Sequence, residues 1–188
     1  MNRVEFHNRW SELHGGAPVT GVTRAWLFIS YSIARTLAFF RISPYLITAF
    51  GLLVSLLMLR TEYIDILILL LITALICDGV DGSLAIYRGK DSRLGELYDS
   101  VTDRITEAIW LYMCAFVGLS VKYIITIWVL GAIQEYMRTK LSVSGYREVG
   151  VITPTERPVR AIFVAAIFLS FRFGFDITHD IAYVFIAL

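Results

Sequence analysis

Residues 77–104, CDGVDGSLAIYRGKDSRLGELYDSVTDR, concentrate the side chains that could do chemistry. Asp78 and Asp81 are three apart, and Asp99 and Asp103 are four apart. On a helix either spacing puts both carboxylates on one face, with Cβ atoms about 5–6 Å apart. Two consecutive antiparallel helices would then hold four carboxylates together. In an apolar setting those anions repel one another, and such groups at membrane depth are costly and usually functional. Cations relieve the repulsion. Hard divalent ions take oxygen ligands, and Mg²⁺ is commonly held by a few carboxylates plus phosphate oxygens. Mn²⁺ favours the same donors. Two ions about 3.5–4 Å apart would clamp a diphosphate and stabilise both attacking and leaving oxygens. A carboxylate left off the metal could take the proton of an incoming hydroxyl.

Small residues surround the acids. Gly79, Gly82 and Gly95 lie beside them, and Ala85 follows Asp81 by one turn. A helical glycine costs roughly 1 kcal/mol against alanine. Several together imply close approach, either by a ligand or by another helix.

The elements that position these residues are helices in an apolar chain. Of 188 residues, 57% are hydrophobic and 18% charged. That is too little polarity to cover a water-soluble protein of this size. A bilayer-spanning helix needs about 20 mostly apolar residues. Windows at 43–59, 63–87, 97–120, 122–142 and 158–175 are the candidates, the third apolar only from Ile109 onward. Residues 177–188 would reach only about 18 Å as a helix, so they are a sixth span cut short or a short last helix. Residues 18–41 mix Arg24, Arg35 and Arg41 with Trp26, Phe28, Tyr31 and Phe39. That mixture suits an amphipathic helix lying in the membrane interface, with Pro44 breaking the chain before the first span. The expected fold is all-α: an integral membrane protein of about six transmembrane helices, in one domain over 1–188. It divides into an arm at 1–17, the interfacial helix at 18–41 and the bundle at 43–188.

Charge sets the orientation. All but Arg60, Lys122 and Arg172 of the 17 lysines and arginines fall in residues 1–41, the 88–104 region or the 138–160 region. The positive-inside rule makes that side cytoplasmic. A net charge of +1 without a long basic run gives no footing for nucleic-acid binding. Cys77 and Cys114 lie in apolar runs, and His7, His14 and His179 are scattered. Neither a disulfide framework nor a zinc site is indicated. Residues 1–22 are polar and lack a signal-peptide pattern.

The pattern Asp78-x-x-Asp81-Gly82-x-x-Ala85, then Gly95-x-x-x-Asp99-x-x-x-Asp103, resembles the signature of the CDP-alcohol phosphotransferase family. Pro44 and Thr48 in SPYLITAFGLL are similar to the family's entry to its first span. The resemblance runs from about residue 18 onward. It implies that Asp78, Asp81, Asp99 and Asp103 form a metal site for two Mg²⁺ or Mn²⁺ ions, with Asp103 also the general base. It implies a cytidine nucleotide bound by Asp78, Gly82, Ala85, Gly95 and Thr48. It implies a CDP-linked lipid such as CDP-diacylglycerol as donor, an alcohol acceptor, release of CMP, and a homodimer with its active site open to the cytoplasm.

One position departs from the pattern: Ile86 stands where the family usually has arginine. Arg88 is near in sequence, yet two residues rotate about 200° around a helix, so Arg88 must reach round to serve the nucleotide. A second basic set, Arg138, Lys140, Arg157 and Arg160, suits an acceptor that carries a phosphate, since arginine forks match phosphate oxygens. Asp103-Arg104 with Glu156-Arg157-Pro158 is similar to the inositol-phosphate-transferring branch. A glycerol-phosphate acceptor fits the same cations. The rival readings are a membrane prenyltransferase, which also holds diphosphate through aspartates and Mg²⁺, and an inactive family member kept as a scaffold.

Overall fold

The structure is a computed structural model that describes residues 1–90, 92–144 and 157–187. Eight helices follow one another: α1 (Arg3–Leu13), α2 (Gly21–Phe39), α3 (Pro44–Met58), α4 (Ile64–Tyr87), α5 (Arg93–Met113), α6 (Val121–Val143), α7 (Arg157–Arg172) and α8 (Thr178–Ala187). A 3₁₀ turn, Cys114–Val117, extends α5, and no strand occurs among the described residues. The all-α expectation holds. Residues 145–156, which include Arg147, Thr155 and Glu156, lie outside the described residues.

Local chemistry fixes the helix ends. Pro44 opens α3 at a position where a missing N–H costs nothing. Ser92 caps α5, its Oγ accepting from the Gly95 amide at 3.1 Å. That cap starts the helix four residues earlier than the apolar window at 97–120 suggested. Gly118, with φ 91°, ends the 3₁₀ turn in a conformation that favours glycine. α1 was not foreseen in the N-terminal arm. Its signal was a capping box: Asn2 Oδ1 accepts from the Glu5 amide at 2.9 Å, and Glu5 Oε2 from the Asn2 amide at 2.9 Å.

Helices stand where the interfacial helix and the six spans were expected. By length and apolarity, no single helix among the described residues is sufficient to cross a membrane, whereas α2 and α3 together are, as a pair bent by 113°. α3, α7 and α8 hold 15, 16 and 10 residues. α4 keeps Asp65, Asp78 and Asp81 within its length. The α2–α3 corner turns through Arg41, whose φ is 56°. Arg88 braces that corner, its Nη1 donating to the Ile42 carbonyl at 2.6 Å.

Packing is centred on α4, which touches α1, α2, α3 and α7. The main core is built from Leu67, Leu71, Trp110, Met113, Ile167 and Phe168 among others. Trp110 Nε1 donates to Ser55 Oγ at 3.1 Å, tying the far end of α5 to that of α3. A smaller core of Phe6, Leu27, Tyr31 and Ile86 joins α1 and α2 to the end of α4.

Gly79 is where α4 meets α2 most closely. A Cβ there would overlap the Trp26 ring. Gly79→Ala is expected to destabilise by about 1–3 kcal/mol, the usual cost of overpacking. A thermal melt in detergent reads this directly, and an unshifted melt would contradict the packing.

Candidate active site

The late part of α4 and the early part of α5 bring the acids together. Oxygens of Asp78, Asp99 and Asp103 lie within 4.8 Å of one another. Asp99 Oδ1 is buried with no hydrogen-bond partner among the described residues. Like charges this close, one with an orphaned oxygen, need a cation. The donor set is all carboxylate oxygen, which suits Mg²⁺ or Mn²⁺. The residues therefore fit a divalent metal.

Asp81 stands beside this triad and is 4% exposed. It accepts from Thr48 Oγ1 at 2.5 Å and from the Gly82 amide at 2.6 Å. A carboxylate has about four lone-pair sites, so two bonds leave Asp81 able to ligate as well. The Thr48 contact fixes α3 against α4 at the site.

Arg157, the first residue of α7, reaches into the acids. Its Nη1 pairs with Asp78 and lies 2.7 Å from Asp103 Oδ1. Nη2 donates to Thr106 Oγ1 at 2.9 Å, and the guanidinium lies 5.0 Å from the Trp110 ring centroid. The cleft lined by Asp78, Asp81, Thr102, Asp103, Thr106 and Arg157 holds only about 10 Å³, close to a single water-sized sphere.

A larger cavity of about 250 Å³ opens beside it. Thr48, Asp81, Gly82, Ala85, Gly95 and Asp99 line this space. A Cβ on Gly82 would meet nothing within 4 Å, so that glycine faces open space. Most of the residues expected to hold the nucleotide therefore share one cavity. Asp78 and Arg88 are the exceptions, Asp78 lining the narrow cleft instead.

Other expected residues stand elsewhere. Arg88 is engaged at the α2–α3 corner and does not line the cavity. Lys90 does. Arg160 is 2% exposed, pairs with Glu107, and has Nη2 3.4 Å from Glu135 Oε1. Arg160, expected to meet an acceptor phosphate, thus has its guanidinium beside the buried carboxylate of Glu107 and the partly exposed one of Glu135. Arg138 and Lys140 lie on α6, Lys140 Nζ being 5.5 Å from the Tyr136 ring, and neither lines the cleft or the cavity.

Sequence reasoning missed Tyr45, Ser92 and Glu96, which complete the cavity wall, as well as Leu13 and His14 from α1. Tyr45 carried a signal, since it lies three residues before Thr48 on the same helix. Leu13 and His14 carried none, because their approach depends on how α1 docks.

The family model described as CDP-alcohol phosphatidyltransferase matches residues 31–188. Archaetidylinositol phosphate synthase from Pyrococcus horikoshii is 34% identical over 151 residues, covering 76% of this chain and 78% of that protein. No solved structure matches the chain.

Proposed function

The chain belongs to the CDP-alcohol phosphatidyltransferase family, and from that premise we propose that it joins inositol phosphate to a CDP-linked lipid at the aspartate cluster. As a family member it is an enzyme of phospholipid synthesis that works by CDP-alcohol phosphotransfer. The acceptor is suggested by the archaetidylinositol phosphate synthase relative and by Arg157 beside the general-base candidate. The observation that carries the reading is the triad of Asp78, Asp99 and Asp103, of which Asp99 lines the neighbouring cavity of about 250 Å³ while Asp78 and Asp103 line the narrow cleft.

Asp78, Asp81, Asp99 and Asp103 would hold the divalent ions, which supply charge stabilisation to the diphosphate when bound. Gly82, Ala85 and Gly95 keep the cavity open for the cytidine nucleotide, and Thr48 holds Asp81 in place. Asp103 takes the proton of the acceptor hydroxyl onto a carboxylate oxygen. The hydroxyl oxygen bonds to the lipid-side phosphorus, and the bond from that phosphorus to the bridging oxygen breaks. CMP leaves with the electron pair. Arg157, next to Asp103, receives the acceptor's phosphate. Arg160 braces it one turn along α7.

The fold reading is a bundle of α3–α8 in the bilayer, with α2 in the interface. Its support is the outward apolar stripes: Leu46, Phe50, Leu53 and Leu57 on α3, and Leu69, Ile72 and Ile76 on α4, are all exposed. Their spacing is that of one helix face, and apolar surface of this extent marks a lipid or partner contact. The 113° bend between α2 and α3 suits a helix that turns from the membrane plane into a span. The site end of the bundle carries the excess of basic residues and faces the cytoplasm. The resemblance adds a homodimer.

Family membership decides against the prenyltransferase reading. The scaffold reading rested on Ile86, and Ile86 has a packing role: it is 5% exposed, in the core under α1. A glycerol-phosphate acceptor remains the second reading, because Arg157 would recognise either phosphate.

CMP release from CDP-diacylglycerol with a panel of inositol phosphate, glycerol phosphate, serine and inositol decides the acceptor. The expected result is release with inositol phosphate well above the other three. Release with glycerol phosphate alone would overturn the choice of acceptor.

A further inference from the structure

The position that breaks the family pattern and the unforeseen helix belong to one feature. Ile86 packs with Phe6 of α1 and with Leu27 and Tyr31 of α2. α1 lies before the residues that the family model matches. It is firmly docked. Phe6 is fully buried, its ring 5.4 Å from that of Tyr31, and the Arg3 guanidinium lies 4.2 Å from the Phe28 centroid. An arginine at position 86 would put a charge into this apolar contact. With isoleucine there, α1 docks and carries its last residues to the donor cavity, where Leu13 and His14 form part of the wall.

His14 is held in a fixed pose. Its ring stacks on Trp10 with centroids 4.0 Å apart and planes 17° apart. Its Nδ1 lies 2.7 Å from the Trp10 carbonyl oxygen. A carbonyl oxygen only accepts, so Nδ1 carries the proton and donates. In the neutral ring the other nitrogen, Nε2, is then an acceptor. It makes no hydrogen bond among the described residues. The ring is thus a preorganised acceptor in the wall of a cavity that Asp81, Gly82 and Asp99 also line.

We propose that His14 is a specificity-determining contact for the donor nucleoside, its Nε2 accepting from the cytosine amino group, with the end of α1 supplying a wall of the cavity beside Ile86. This rests on the reading that the donor occupies this cavity. With the diphosphate at the aspartates, the nucleoside extends toward the remaining walls, and α1 is one of them. Cytosine presents an amino donor where uracil presents a carbonyl acceptor. An imidazole acceptor therefore favours cytosine and repels uracil. Lys90, on the same wall, offers only donors and cannot make this distinction.

The test is binding of CMP and UMP to the full purified chain in Mg²⁺, by calorimetry, for the wild type, His14→Ala and Gly82→Val. His14 is exposed, so His14→Ala leaves the cores intact. The expected result is that His14→Ala weakens CMP about tenfold, the equivalent of one hydrogen bond of about 1.4 kcal/mol. UMP binding does not weaken, and strengthens as the repulsion is removed, so the CMP-to-UMP preference collapses. The KM for CDP-lipid rises with kcat at saturating donor unchanged. Gly82→Val fills the cavity and weakens both nucleotides. A preference that survives His14→Ala while Gly82→Val still blocks binding overturns the role of His14 and leaves the donor cavity standing. Normal binding of both nucleotides to Gly82→Val overturns the cavity reading itself, and the proposal with it.

Discussion

Asp103→Asn is expected to lower CMP release by about 10²–10⁴-fold, the usual contribution of a positioned general base. Asparagine keeps the size and shape of the side chain and can still accept from Arg157, so the fold is retained. It cannot take up the acceptor's proton. The position supports the role: Asp103 is half-buried on α5, its Oδ1 lies 2.7 Å from Arg157 Nη1, and it borders the narrow cleft. The same arginine is the proposed receiver of the acceptor phosphate, so the hydroxyl arrives next to its base. The loss is expected chiefly in kcat, because other residues line the nucleotide cavity and Asp78, Asp81 and Asp99 remain to hold the metal. Activity of Asp103→Asn close to that of the wild type would remove Asp103 from the mechanism.

Glu107→Ala is expected to destabilise the protein by about 3–5 kcal/mol, the cost of breaking a buried pair by removing one member, which leaves Arg160 with Gln134 and the partly exposed Glu135 at its rim. Glu107 and Arg160 are 1% and 2% exposed, and they pair with each other. Arg104 Nη1 also reaches Glu107 Oε2 at 2.8 Å. The geometry links this pair to the site. Asp103 and Glu107 are four apart on α5, and Arg157 and Arg160 three apart on α7, so the two ion pairs form successive rungs between the same helices. The Glu107–Arg160 rung holds α7 at the depth where Arg157 meets Asp103. The double change Glu107→Leu with Arg160→Met replaces a buried ion pair by apolar groups, which is often neutral or stabilising. Recovery of the melting temperature in the double variant would show that the loss in Glu107→Ala comes from the arginine that has lost Glu107. A single variant as stable as the wild type would contradict the buried pair.

Much of this was legible in the sequence, for identifiable reasons. The four aspartates were found because residues three and four apart on a helix must share a face, whatever packs around them. α3 to α8 were found because each carries an apolar run of helical length, with Pro44 marking the entry to the first. Gly82 and Ala85 line the open cavity, whereas Gly79 packs against Trp26, and the sequence left both uses of a small residue open. Long side chains were less legible. Arg88, Arg157 and Arg160 each extend far from their backbone, so their partners are set by neighbouring helices. Arg88 turned to the Ile42 carbonyl, Arg160 to Glu107, and Arg157 to the acids themselves. α1 lay outside the reading because its 11 residues bury mainly Phe6. Only its docking on Tyr31 and Ile86 gives it a place.

Mg²⁺ dependence of CMP release tests the central claim most directly. Purified protein stripped with EDTA is given CDP-lipid and inositol phosphate, and Mg²⁺ is then restored, in the wild type and in Asp99→Asn. The account predicts no release without metal, full recovery on restoring it, and little recovery in Asp99→Asn, whose orphaned oxygen is the clearest mark of the cation site. Release that persists in stripped protein, or that recovers equally in Asp99→Asn, would contradict the metal-held diphosphate on which the account depends.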